Sequence, residues 1–225
     1  MTAEDFSILA LTVRVAVLAT LLILPLGVAC GWGLARWRGP GRTVVETLLS
    51  LPLVLPPTAV GLLLLEVLRR TGTFGRLLER ADVEILFTWK AAVLAAAVMS
   101  FPFLVRLSRT AFEEIDPRLL SMARSLGSSP AAAFRRIALP LAWRGVLAGT
   151  LLAFSRALGE FGATILVAGS IPGRTETLAL AIFRRTHIGQ DTSAMRLVAL
   201  TVAIAFAAVW TTEFLTRRRI RRTSG

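Results

Sequence analysis

The sequence predicts an all-α membrane protein with about five transmembrane helices, and three observations carry that expectation. The 225 residues are 55% hydrophobic and the mean hydropathy is +0.68, more apolar than soluble domains usually are. Uncharged runs bounded by ionisable residues approach the roughly 20 residues that a helix needs to cross hydrocarbon. Finally, the arginines flank those runs and draw no basic stripe along a soluble face. The net charge of +12 is therefore read as membrane topology, with no nucleic-acid partner.

The first run covers 15–35. Its amino end is acidic, with Glu4 and Asp5 where a signal peptide carries basic residues, so it is read as a span. The single cysteine, Cys30, lies inside it as packing and excludes an intramolecular disulfide framework. The second run, 47–65, contains SLPLVLPPTAVG, in which Pro52, Pro56 and Pro57 delete helix hydrogen bonds. Broken helices at membrane depth persist where protein or a water-filled cavity satisfies the freed carbonyls. That points to a pathway wall or gate, and equally to a kink used only for packing. The third run covers 91–105. The fourth, 145–171, is interrupted by Arg156 and Glu160, spaced i and i+4 for one helix face. Such intramembrane charges either serve the pathway or a dimer interface, or merely neutralise each other. Residues 171–195 are too short and too charged to span; a surface or re-entrant helix is expected over 177–185. The last run, 197–212, precedes the basic tail TRRRIRRTSG, an anchor for anionic membrane lipid.

Arg36, Arg38 and Arg42 follow the first run. Arg106, Arg109, Arg118, Arg124, Arg135 and Arg136 occupy the middle of the chain, and Arg217, Arg218, Arg219, Arg221 and Arg222 end it. Positive-inside places all three groups in the cytoplasm, with the N-terminus outside and the C-terminus inside after five crossings. The segment 69–90 opposes this order with Arg69, Arg70, Arg76, Arg80 and Lys90, partly offset by Glu79, Asp82 and Glu84. No stretch is long enough to fold as a separate soluble domain, so residues 1–225 form one membrane domain.

Between the third and fourth runs, residues 116–140 read DPRLLSMARSLGSSPAAAFRRIALP. Asp116 can cap a helix that starts at Pro117, and Gly127 suits the left-handed residue that ends one. Ser128 or Ser129 with Pro130 restarts a second helix. Small residues at Ala123, Ser125, Gly127 and Ser128 would admit a partner's backbone; Met122, Leu126 and Phe134 would anchor it, and Arg124, Arg135 and Arg136 supply charge. An amphipathic helix lying on the membrane without a partner would show a similar pattern.

The spacing from Gly127 through nine residues to Ile137, Ala138, Leu139 and Pro140 resembles the EAA loop of ABC transporter permeases. The chain departs from the family at the front of that loop, where Ser121, Met122 and Ala123 stand for E-A-A, so only the third position is kept. LPLVLPPTAVGLLLL, AAVLAAAVMSFPFLVR, RRIALPL, and SRALGEFGATI with SIPGRTETL are together similar to the molybdate permeases of that family. ALGEFGA also occurs in sulfate and thiosulfate permeases, which keeps a sulfate or thiosulfate permease of the same family as the alternative. The resemblance implies a type I ABC importer permease fold with a cytoplasmic coupling helix in a bacterial inner membrane. It implies a homodimer on two ATP-binding cassette subunits, fed with molybdate or tungstate by a periplasmic molybdate-binding protein. Ala123, Arg124, Ser125, Leu126, Gly127, Ser128, Ile137, Leu139 and Pro140 would form the coupling loop. Pro56, Pro57, Thr58, Arg156, Glu160 and Phe161 are the pathway or gate candidates.

The chain is expected to hold no cofactor, metal or catalytic residue of its own. A phosphate-binding P-loop needs Lys between Gly and Ser or Thr, and the sole lysine, Lys90, follows Trp89. ATP and magnesium would belong to the partner subunit. The sole histidine, His187, has no nucleophile or metal-ligand pattern around it, so an intramembrane hydrolase is not expected.

Overall fold

The computed structural model describes residues 2–70 and 72–220, and among them helices are the only regular elements. Helix α1 (Ala3–Arg36) begins with a reciprocal cap: the Thr2 hydroxyl accepts from the Asp5 amide, and the Asp5 carboxylate accepts from the Thr2 amide. At 1.5 Å per residue, its 34 residues reach about 51 Å. Pro25 lies within it without ending it.

Helix α1 packs against α5 (Trp89–Glu113) and α8 (Leu139–Leu158), and these three make the core. The buried face of α5 is built from small residues, including Ala91, Ala92, Ala95, Ala96 and Ser100. Lipid tails are as apolar as leucine, so burying large apolar groups between spans gains little; close backbone approach gains dispersion contacts instead. Gly31 shows how close that approach is, since a Cβ there would lie 2.8 Å from the Ser108 Cβ.

The second expected span divides into α2 (Arg42–Val54) and α3 (Pro57–Leu68), bent by 110°. Among the described residues, three helices are long and apolar enough to cross a membrane, and the bent pair is a fourth if counted as one crossing. The run 145–171 is not one crossing helix: α8 ends at Leu158, and a separate six-residue helix, α9 (Gly162–Val167), follows. The fifth expected span falls on α11 (Asp191–Ile220), where Val202, Phe206 and Trp210 line one exposed apolar face. Arg221 and Arg222 of the basic tail lie outside the described residues, as do the side chains of Arg217, Arg218 and Arg219.

Short helices complete the chain. In the basic segment 69–90, which includes α4 (Thr73–Arg80), Arg69 pairs with Glu66 and Arg70 with Glu84. The hairpin contains α6 (Pro117–Ser125) and α7 (Pro130–Ala133). The helix expected over 177–185 is α10 (Leu178–His187), with Leu178, Leu180 and Ala181 buried and His187 exposed. Cys30 is half-buried with a free thiol.

Candidate functional site

The hairpin forms from local signals. Asp116 accepts from the Arg118 amide at 2.9 Å, and Pro117, whose missing N–H costs nothing at a first position, opens α6. The helix closes in a Schellman turn: the Ser128 amide donates to the Ala123 carbonyl at 3.0 Å and the Gly127 amide to that of Arg124 at 2.9 Å. Gly127 has φ +81°, and a Cβ there would meet nothing within 4 Å. Its requirement is conformational. Ser129 then caps α7 by accepting from the Ala132 amide, with Pro130 at the first position.

Between α7 and α8 the helix widens into a π turn over Phe134–Ala138, where the Leu139 amide donates to the Phe134 carbonyl. Pro140 accounts for the widening. It has no N–H for the carbonyl of Arg136, and its ring would strike that carbonyl in a regular α-helix. One extra residue in the turn relieves the clash, as π-bulges do.

An aromatic triad fastens the hairpin to the spanning helices. Trp32 of α1 lies 5.2 Å from Phe112 of α5 and 5.3 Å from Phe134, measured between ring centroids. Leu120, Ala123, Ala133 and Ala138 are buried beneath it, with Ile137 and Leu139 packed alongside. Phe134 and Ala123 therefore face inward, correcting the expectation that both are offered to a partner. Buried Ala138 and half-buried Ile137 and Leu139 make the second half of the loop a packing device. The outer face presents Leu119, Met122 and Leu126, the last 85% exposed. A shallow groove there is lined by Pro117, Arg118, Ser121, Met122, Ser125 and Leu126. Arg124, Gly127 and Pro140 are also exposed, and Ser128 is half-buried.

The other candidates meet at two helix breaks. The first lies at Leu55–Pro56, where Pro56 and Pro57 together prevent α2 from continuing and Pro57 starts α3. The second follows α8: Gly159 ends the helix, Phe161 takes φ −132° and ψ −56°, and α9 begins. Glu160 belongs to no helix, so the expected shared helix face with Arg156 is absent. The two side chains still meet, with Arg156 Nη1 2.7 Å from Glu160 Oε2. Glu160 Oε1 accepts from the Ala163 amide at 2.8 Å and so caps α9. Glu160 is 3% exposed; its charge is matched by the guanidinium and its second oxygen is spent on the helix start.

The breaks face each other. A Cβ on Gly162 would lie 2.6 Å from the Pro57 Cβ, and one on Gly61 would lie 2.8 Å from the Ala163 Cα. Pro56, Pro57 and Thr58 are exposed beside this contact. Phe161 turns away toward α10, with its ring centroid 5.0 Å from that of Phe183.

Two ionic groups were not anticipated from the sequence. At one end of α1, Asp5 and Arg185 are buried together with Nη1 2.9 Å from Oδ1, and Glu176 holds Arg184 at 2.5 Å. That bond keeps the Arg184 guanidinium above its usual pKa. At the other end, Arg42 and Arg109 share Glu46 and Glu113 in a four-membered ring between α2 and α5. The available signal was charge parity, an acidic Glu4–Asp5 pair and a basic Arg184–Arg185 pair, but it has no spacing that fixes a contact 180 residues apart.

Residues 23–221 match the family described as binding-protein-dependent transport system inner membrane component. The chain is 42% identical over 219 residues to the molybdenum transport system permease protein ModB of Escherichia coli K12, covering 96% of each. It is 39% identical over 205 residues to the putative molybdenum transport system permease protein YvgM of Bacillus subtilis, covering 91% of this chain and 90% of that one. The sulfate transport system permease protein CysT of Salmonella typhimurium is 33% identical over 214 residues, covering 95% of this chain and 77% of the relative. The fold resembles that of the MetNI methionine ABC transporter in inward-facing conformations, with TM-score 0.74 and 17% identity over 97% of this chain and 99% of that one. A bacterial alginate ABC transporter in complex with an alginate-bound periplasmic protein gives TM-score 0.75 at 17% identity, over 97% of this chain and 80% of that one. The expected type I ABC importer permease fold is thus the fold found, and the chain belongs to the family of binding-protein-dependent transport system inner membrane components.

Proposed function

We propose that this chain is the permease subunit of an ABC importer that carries molybdate, or its congener tungstate, across the bacterial inner membrane. The observation that carries this reading is the 42% identity to ModB over 96% of both chains. Sulfate is the second reading, supported by CysT at lower identity and over a smaller share of the relative.

The chain works as a homodimer, because about five helices barely surround a pathway and a two-fold pair is the economical solution. Each copy receives one ATP-binding cassette subunit at the hairpin, where Met122 and Leu126 are exposed anchors and Arg124 and Ser125 supply polar contacts beside the Gly127 turn. ATP and magnesium stay with that subunit, and a periplasmic molybdate-binding protein delivers the anion. The arginine clusters support a cytoplasmic hairpin and C-terminus with the N-terminus outside. Work done on the hairpin reaches α1 and α5 through Trp32, Phe112 and Phe134. The facing breaks at Pro56–Pro57 and Glu160–Gly162 are where the spans can change shape, with Arg156 and Thr58 beside them. Selectivity rests mainly with the binding protein, since a conducting route needs sites that release easily.

Reconstitution of the permease with its ATPase and binding protein in vesicles tests the assignment. Molybdate is expected to stimulate ATP hydrolysis and to accumulate inside, with sulfate failing at equal concentration. Stimulation and uptake by sulfate alone would transfer the chain to the second reading.

A further inference from the structure

Where α1 ends beside the hairpin, Arg36 and Arg38 line one cavity. Arg42 and Arg109, nearby, each have two carboxylates in reach. Among the described residues, no carboxylate pairs with Arg36, Arg38 or Arg124. Arg36 is half-buried, with its guanidinium 5.3 Å from the Trp32 ring centroid. Arg38 shares its cavity, so the two act on each other as like charges. A cavity of about 280 Å³ opens between Arg36, Arg38, Arg42, Phe112 and Glu113. Glu113 is already spent on Arg42 and Arg109, and Asp116 on the Arg118 amide.

Like charges converging on a partly desolvated guanidinium call for an anion. Guanidinium forks fit the oxygens of a phosphate two at a time. Helix α1 is long and apolar enough to span a bilayer, and Trp37, 38% exposed where it ends beside the arginines, is a side chain typical of headgroup depth. We propose that Arg36 and Arg38, with the cavity between α1 and the hairpin, bind the headgroup phosphate of an anionic phospholipid. A lipid held there wedges the base of the hairpin against α1. The site requires only that α1 end at a bilayer surface, so it stands or falls separately from the identity of the transported anion.

The test is native mass spectrometry of the full-length permease released from nanodiscs of phosphatidylcholine and phosphatidylglycerol. The unaltered protein is expected to retain phosphatidylglycerol in preference to phosphatidylcholine. Arg36→Gln with Arg38→Gln is expected to lower that retention about 25-fold, at about fivefold per arginine near an anionic surface. Arg118→Gln, outside the cluster, is expected to leave it unchanged. If the double variant fails to fold, exposed Arg38→Gln alone carries the test with about a fivefold loss. Equal retention by the folded variants would overturn the proposal. So would displacement of the lipid by excess inorganic phosphate, which would make the site one for a soluble anion. Loss of ATPase co-purification with lipid retention unchanged would also overturn it, assigning the arginines to the protein partner.

Discussion

Gly127 is required for its backbone angle and not for space. A left-handed φ costs an L-residue roughly 1–2 kcal/mol, and a β-branched side chain fares worst there. Gly127→Val is therefore expected to lose substrate-stimulated ATP hydrolysis while the ATPase still co-purifies, and Gly127→Asn to keep most of it. Equal activity in both variants would detach the turn from coupling. Glu160 poses a different problem, because one carboxylate both neutralises Arg156 and caps α9. Glu160→Gln keeps an acceptor for the Ala163 amide and loses only the charge. Both variants leave a partly buried guanidinium unmatched, at about 3 kcal/mol, and Glu160→Ala loses the cap as well, about 1 kcal/mol more. Thermal unfolding in detergent should rank the alanine variant below the glutamine variant; equal midpoints would show that the cap contributes nothing.

Whole elements respond to single residues where a proline or a missing Cβ sets their geometry. Pro140→Ala restores an amide to the start of α8 and removes the reason for the π turn. The helix from Pro130 to Leu158 can then close as a regular α-helix, rotating everything before it by about 100°. The expectation is an unchanged or raised melting temperature with weakened coupling, because Phe134 would leave the aromatic triad; coupling that survived intact would show that the bulge is incidental. At the facing breaks, Gly61→Ala drives a methyl into the Ala163 backbone, at a cost of about 1–3 kcal/mol. These elements also show what a sequence discloses. The hairpin was legible to within a residue or two because Asp-Pro, Gly and Ser-Pro act on their own neighbours. The breaks were half legible: prolines announced the first, and Arg156 with Glu160 marked the second, but neither reveals a 110° bend or the meeting of Gly162 with Pro57. The π turn is not legible, because Pro140 constrains the carbonyl four residues before it without revealing how the preceding turn yields.

Across the whole molecule, the ionic groups at the two ends of α1 divide fixed parts from movable ones. Helices α1, α5 and α8 pack tightly through small residues, and the Asp5–Arg185 pair ties α10 to the start of α1. Helix α2 is different, with no buried residue of its own and with α5 as its principal neighbour. Only the Arg42, Glu46, Arg109 and Glu113 ring gives that contact polar definition. Glu46 holds both arginines closely, at 2.5 and 2.7 Å, whereas Glu113 is 3.5 Å from Arg109, so removing the Glu46 charge opens the ring on both sides. Glu46→Gln is therefore expected to raise amide hydrogen exchange selectively in α2, leaving α1 and α5 protected and shifting the melting temperature little. Ion pairs at partly exposed sites are individually weak, which suits a joint that must open and reseal as the pathway changes shape. The same variant should hydrolyse ATP with less dependence on substrate, since α2 carries the break at Pro56 and would no longer follow α5. If exchange instead rose equally in α1, α5 and α8, the ring would be a global staple and α2 would not be a separate moving part.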